Sequence, residues 1–341
     1  MRKLLALILV PLLLAGCAAP AAQSSTNAQI YEASFLELFD TLTVLKGAAE
    51  SEEEFQKTAQ FVHDELEHYH QLFDIYNDYE GLNNLKTVND MAGIAPVEVG
   101  DAVIALLKDC RSYYELTGGK VNVAMGSVLK LWHDARDRGI NDPLNAKLPD
   151  MAALEAAAEH VSFDSVIIDE AASTVYISDP DLRLDVGAVA KGWAAQRVAE
   201  RMPANMLLSV GGNVCATGPK TADTPWVIGI QNPDGGSYLH TLYVRGGSYV
   251  TSGDYQRAYT VEGKSYHHII DPDTLMPSIY WRSVTIVCDD SGLADALSTA
   301  LFVLPQEAGQ ALLDKTGAMA VWGDAAGNIF YSPGVQEIIR T

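Results

Sequence analysis

The chain is poor in basic residues, in paired cysteines and in long apolar runs. Its 23 Lys and Arg face 44 Asp and Glu, a formal net charge of −21. That sign excludes nucleic acid as a main partner and argues against binding to an anionic lipid surface. Of four cysteines none forms a Cys-x-x-Cys pair. Beyond the N-terminal segment only Cys110, Cys215 and Cys288 remain, an odd and widely spaced set that makes neither a disulfide framework nor a zinc site. They read as buried thiols. There is no His-Glu-x-x-His pattern, and the glycines do not fit a Gly-x-Gly-x-x-Gly fingerprint. His63, His68 and His70 therefore read as solvated helix surface. No internal repeat and no second low-complexity linker interrupts the sequence.

What is present is an apolar, evenly composed chain. Hydrophobic residues make up 48% of 341, enough for a large core. Length alone suggests about two domains, but the uniform composition after residue 29 favours one compact unit. The N-terminus, "MRKLLALILVPLLLAGC", sets two cations before an apolar run and small residues before Cys17. The run is short and interrupted by Pro11, so it reads as a targeting segment rather than a membrane span. "LAGC" resembles the lipobox of bacterial lipoproteins; an ordinary secretory signal with a chance Cys is the alternative. The lipobox implies a signal peptide over residues 1–16, a lipidated Cys17, a flexible tether over 17–29 and a folded unit over 30–341. Loss of Arg2 and Lys3 leaves 21 basic against 44 acidic residues, a mature charge of −23.

Periodicity divides the folded part. "SEEEFQKTAQFVHDELEHYHQLF" has apolar residues at helical spacing behind Ser51 and Glu54, a capping-box pair. Asp101 and Asp150 are expected to cap two further helices, the first stopping at Gly118-Gly119. "TVYIS", "DLRLDV" and "NMLLSV" read as short strands, with "AVAKGWAAQRVAERM" a helix between the last two. Further on, "WVIGIQ", "TLYVRGGSYVTS", "QRAYTVEG", "YHHII" and "RSVTIVC" are β-rich and antiparallel in character. "GLADALSTALFVL" and "PQEAGQALLDKTG" return to helix; "AMAVWG" and "NIFYS" close the chain. The expected class is α/β to α+β, with mixed, largely antiparallel sheets and packed helices.

Four stretches can carry chemistry. In "LDVGAVAKGW", Asp185 ends an extended segment, Gly187 permits an unusual turn, and Lys191 adds a cation near the start of a helix whose first N–H groups favour anions. A plain structural turn explains it equally well. In "LLSVGGNV", Gly211 and Gly212 allow close backbone approach to a ligand or to another chain segment. In "YHHIIDP", neighbouring residues point to opposite sides, so His267 and His268 cannot both face one cleft. In "DDSGLADALSTAL", Asp295 and Thr299 share a helix face. A carboxylate and a hydroxyl are hard oxygen donors that suit Mg²⁺ better than Zn²⁺. On spacing alone, helix-dipole stabilisation by Asp295 and back-bonding by Thr299 account for them as well.

Together "DVGAVAKG", "SVGGNV", "TSGDY", "HHIIDP" and "ADALSTAL", in this order, resemble the ApbE-type FAD:protein FMN transferases over about residues 30–330. The resemblance implies a T-fold-like catalytic unit. It implies FAD contacts from Asp185 and Lys191, and Mg²⁺ bound by the Ala188 carbonyl, Asp295 and Thr299. It places His268 by the reacting phosphate and Ile269 against the flavin nucleotide. "VNVAMG" matches a pocket-lining stretch through Asn122 and Ala124. Two departures stand out: Val121 where the family usually has Phe, and "DPDTLMP", with Leu275 where Gly is frequent. The implied reaction passes FMN from FAD to a Thr or Ser hydroxyl of an acceptor protein and releases AMP. The implied acceptor is a flavoprotein subunit of a membrane redox complex or an extracytoplasmic flavoprotein. Mg²⁺ also reconciles a strongly acidic protein with an anionic diphosphate. Three rivals remain: hydrolysis of FAD at the same site, a flavin-binding lipoprotein without catalysis, and a solute receptor, whose two similar lobes the sequence does not suggest.

The lipobox predicts an extracytoplasmic protein held on the membrane by lipid on Cys17. Cys17→Ser is expected to move it from the membrane to the soluble fraction. Identical soluble behaviour of both forms would remove the anchor.

Overall fold

The computed structural model describes residues 29–255 and 257–340. Cys17 and the proposed tether up to residue 28 lie outside them. Eight strands form one sheet, in the spatial order Gln29–Leu38, Thr41–Ala49, Met206–Val210, Asn213–Ala216, Gly247–Gly253, Ser283–Cys288, Met319–Gly323 and Ile329–Tyr331. Every neighbouring pair is antiparallel. The expected antiparallel α+β character is therefore observed. The first two strands, in residues 29–49, were not among those read from the sequence.

Successive residues of these strands enter different cores, as the two-residue period requires. Val250, Ile286 and Trp322 belong to the main core. Their neighbours Tyr249, Val287 and Val321 join Trp226, Leu242 and Val244 on the other face. A three-stranded sheet covers that face, ordered Ile339–Arg340, His240–Val244, Trp226–Ile230.

Eight helices are present among the described residues. Helix α1 (Glu52–Phe73) starts as expected, with Ser51 Oγ accepting from Glu54 N at 3.2 Å. The Glu54 carboxylate reaches back to Glu50 N instead of Ser51 N. Helix α2 (Leu85–Asp90) is capped by Asn84. Helix α3 (Asp101–Leu116) corrects one expectation: Gly100 is its N-cap, and Asp101 is its first residue without a capping bond. Helix α4 (Gly126–Asn141) was not anticipated. Helix α5 (Met151–Ala158) is capped by Asp150, whose carboxylate accepts from Ala152 N. Helices α6 (Ala190–Ala199), α7 (Ser291–Phe302) and α8 (Gln306–Thr316) fall where periodicity put them. Helices α1, α6 and α7 contribute Phe55, Leu66, Trp193, Leu297 and Phe302 to the main core. A third cluster joins α4 and α5 to the hairpin Tyr259–Val261/Lys264–Tyr266 through Trp132, Leu154 and Tyr259.

Two expected strands are not strands. In "DLRLDV" the only pairing is an isolated bridge between Arg183 and Met125. The segment finds other partners for its backbone. Asn89 donates to Leu184 O at 2.9 Å and accepts from Leu184 N at 2.7 Å, imitating a strand neighbour. Gly126 N donates to Arg183 O, and Asp185 N to Val123 O. Likewise "YHHII" leaves the hairpin at Tyr266 and continues as irregular chain, held by an Ile270–Pro277 bridge.

One turn carries strain. Phe39 and Asp40 join the first two strands and both have φ of 53°. A two-residue turn of this hand normally takes Asn-Gly. Other residues pay about 1–2 kcal/mol each for the left-handed backbone.

Helices α6 and α7 meet at Gly192. A Cβ there would lie 2.3 Å from Ser291 O and 2.5 Å from Asp295 Cβ. Gly192→Ala is expected to destabilise by about 1–3 kcal/mol, despite alanine's better helix propensity of about 1 kcal/mol. The denaturant midpoint reads this directly; a midpoint at or above the wild-type value would contradict the close contact.

Candidate active site

A cleft of about 580 Å³ opens where the 185–191 turn, α4, α7 and the 267–272 segment converge. Asn122, Asp185, Ala188, Lys191, His268, Ile269, Asp295 and Thr299 all line it. Residues up to 177 positions apart in the chain, Asn122 and Thr299, are thus brought together. Ala124 is the exception. It is fully buried behind the wall, and its N–H donates to Asn122 Oδ1 at 3.0 Å. Asn122 Nδ2 donates to Val161 O, so both ends of that amide brace the chain.

The 185–191 turn is built from its own polar groups. Asp185 Oδ1 accepts from Gly187 N at 2.9 Å, an Asx-type turn. Gly126 lets α4 begin against this segment, because a Cβ there would sit 2.5 Å from Arg183 O. Helix α6 then carries Lys191 and Gly192 toward α7. Gly192 N donates to Asp295 Oδ2 at 2.9 Å, and Lys191 Nζ lies 3.6 Å from the same oxygen. Lys191 also reaches Gly187 O at 3.4 Å. Asp295 is only 4% exposed, so a backbone donor and a cation together hold its charge. Thr299 follows one turn later, half-buried at the cleft wall. Asp295 and Thr299 supply a carboxylate and a hydroxyl, and Ala188 lines the same cleft; hard oxygen donors of this kind fit a small divalent cation.

The two histidines separate as expected, although the segment is irregular chain and not a strand. His267 is buried: its Nε2 donates to Ser278 O at 2.9 Å and its Nδ1 accepts from Ile269 N at 3.2 Å. These bonds fix a neutral tautomer, and burial pushes its pKa down. His267 thereby orients the chain that presents His268 and Ile269 to the cleft. Lys120 anchors the same loop from below, 3.0 Å from Asp271 and 2.7 Å from Asp273. Leu275 adopts a left-handed φ of 58°, a backbone conformation that glycine takes most readily. Its N–H donates to Asp271 O at 2.8 Å.

The glycine pair does both things left open by the sequence. Gly211 packs against the chain, since its Cβ would meet Thr41 Oγ1 at 2.5 Å, while Gly211 and Gly212 also line the cleft. Other lining groups escaped the sequence reading: Tyr76, His133, Arg136 and Arg257. Tyr76 OH is 3.0 Å from His133 Nδ1, which is 3.9 Å from Asp185 Oδ2. Partial desolvation of its hydroxyl and then the Asp185 charge push Tyr76 up to about 12, although most of the residue is exposed, and burial lowers His133. The signal for two of these was present: Val128, Leu131, Trp132 and Ala135 give α4 an apolar stripe, and His133 and Arg136 flank it. Two surface groups of imidazole and carboxylates, His63–Asp64–Glu67 and His160–Asp179–Asp181, lie apart from the cleft.

The pattern of the ApbE family matches residues 39–322. The chain belongs to the ApbE family. It is 37% identical over 249 residues to a protein of Treponema pallidum named FAD:protein FMN transferase, covering 67% of each chain. A Klebsiella pneumoniae protein of the same name is 32% identical over 254 residues, covering 71% of this chain and 76% of its own. Among solved structures, the ApbE protein of Thermotoga maritima superposes with a TM-score of 0.82 at 28% identity, over 92% of this chain and all of the other. The flavin transferase ApbE of Vibrio cholerae shares the fold with a TM-score of 0.74 at 21% identity, over 91% of this chain and 99% of the other. The T-fold-like expectation thus resolves into the ApbE fold.

The buried His267 predicts a pH signature. Its folded pKa lies below the value of about 6.5 for a free imidazole. Between the two, the unfolded chain binds more protons, so stability is complete above about pH 6.5 and is lost as pH falls. His267→Gln is expected to flatten this acid-side slope, by up to about 1.4 kcal/mol per pH unit. His133 and His240, also lowered by burial, add to the same slope, and His160, raised by its hydrogen bond to Asp179, works against it. Urea unfolding from pH 5 to 8 measures it; an unchanged slope would show that His267 is protonated in the fold.

Proposed function

We propose that this protein transfers FMN from FAD to a Thr or Ser hydroxyl of an acceptor protein. The observation that carries the reading is the convergence of the 185–191 turn, the Asp295–Thr299 face and His268 on one cleft. The names of the ApbE relatives support it. The acceptor oxygen bonds to the FMN phosphorus, the diphosphate P–O bond breaks, and AMP leaves. His268 takes the hydroxyl proton, a role an imidazole fills near neutrality. Asp185 and Lys191 hold the dinucleotide at the turn. Asp295, Thr299 and the Ala188 carbonyl would hold Mg²⁺, which supplies neutralisation of phosphate charge when bound. Much of the rate then rests on positioning. Lipid on Cys17 would keep the enzyme outside the cytoplasm beside its acceptor, a membrane redox subunit or an extracytoplasmic flavoprotein.

The site predicts a graded response to ligand removal. Asp295→Ala is expected to lower AMP release and acceptor labelling by about two orders of magnitude or more, with a folded chain by circular dichroism. Thr299→Ala, losing a neutral donor, is expected to be milder and partly rescued by excess Mg²⁺. Chelation should reproduce the Asp295→Ala loss in the wild type. Wild-type rates in Asp295→Ala would remove the metal assignment and the reaction scheme with it.

A further inference from the structure

The loop that carries His268 is irregular chain, so its position depends on what pins it. Trp132 Nε1 donates to Leu275 O at 3.0 Å. Nearer to His268 in sequence, Lys120 Nζ lies 3.0 Å from Asp271 Oδ1 and 2.7 Å from Asp273 Oδ2. The lysine stands on a rigid base. Gly118 and Gly119 turn the chain after α3 with φ of 61° and 83°, a backbone that glycine adopts without strain. Thr117 Oγ1 donates to Tyr113 O at 2.7 Å and accepts from Val121 N at 3.1 Å. Bonds within the turn thus fix the backbone on both sides of Lys120, which reaches a loop 151 positions away.

Asp271 is the hub of that loop. Its Oδ1 also accepts from Asp273 N at 3.1 Å. Its own N–H donates to Met276 O, and its carbonyl accepts from Leu275 N. The side chains of Lys120 and Asp271 are only 15% and 12% exposed, so this pair is not a screened surface contact. Without the ammonium, a largely buried carboxylate would lack its counter-charge. The loop can relieve that only by carrying Asp271 toward water, and His268 is three residues upstream. Lys120 lines the cleft as well. Its charge, however, is already offset by two carboxylates, so the cluster has no net positive charge to offer a diphosphate. Its influence therefore passes through the loop. We infer that Lys120 is a positioning residue for FMN transfer, holding Asp271 and through it setting His268 against the reacting phosphate. This rests on the function proposed above.

The test is a double-mutant cycle between Lys120 and His268. Acceptor labelling is followed long enough to read the slow His268→Ala rate, with FAD affinity by titration and denaturant midpoints alongside. Lys120→Met keeps the aliphatic stem and removes the charge. It is expected to lower kcat by about tenfold or more while FAD affinity stays within about threefold of wild type. Lys120→Arg, which can keep both ion pairs, is expected to recover to within about threefold of the wild-type kcat. In the His268→Ala background, Lys120→Met is expected to cost less than about twofold, because the group it positions is gone. Equal losses in both backgrounds overturn the inference. So does a Lys120→Met kcat within twofold of wild type, or a loss confined to FAD affinity. Should the midpoints show Lys120→Met to be unfolded under assay conditions, Asp271→Asn takes its place in the same cycle. If His268→Ala transfers FMN at the wild-type rate, or the wild type transfers none, the proposed function fails first, and that outcome is distinct from the others.

Discussion

The cleft depends on two helices approaching closely at a residue without a side chain. Gly192 lets α6 lie against α7 so tightly that its own N–H bonds the Asp295 carboxylate. That single contact fixes Asp295 beside Lys191 and sets the 185–191 turn over the Asp295–Thr299 face. A methyl group at position 192 would push the two halves apart. Because α7 also packs on the strands Gly247–Gly253 and Ser283–Cys288, the contact ties the site to the centre of the main sheet. The rigidity of the core is thereby passed to the polar groups of the cleft.

Charge sets a second constraint. A chain of net charge −21 has to receive an anionic ligand. The cleft answers with local cations, Lys191, Arg136 and Arg257, and with hard oxygen donors suited to a divalent ion. Asp295 in its buried position already has two partners.

Much of this was legible in the sequence where side-chain spacing alone decides. Asp295 and Thr299 share a face because a helix repeats every 3.6 residues. His267 and His268 do differ in surroundings, though the segment that carries them is irregular chain and not the strand expected. Helices α1, α6, α7 and α8 announced themselves by period. Most of the failures occur where distant chain supplies the partner. "DLRLDV" looks like a strand, yet the Asn89 side chain takes the place of a neighbouring strand. Asp101 looks like a cap, yet Gly100 fits the extended N-cap conformation. Ala124 sits in a matching stretch, yet it is one step behind the wall. Tyr76 and His133 meet across 57 positions, a contact no local pattern contains. The strained Phe39–Asp40 turn is likewise invisible locally, because a Phe-Asp pair does not ask for left-handed backbone.

The central claim is that the phosphate on the riboflavin side of FAD ends on another protein. The direct measurement uses FAD labelled in that phosphate, incubated with the protein, Mg²⁺ and a purified acceptor flavoprotein, then separated under denaturing conditions. The structure predicts label that stays with the acceptor chain through denaturation, with one unlabelled AMP released for each label bound. Labelled free FMN and AMP beside a bare acceptor would contradict transfer and make the cleft that of an FAD hydrolase.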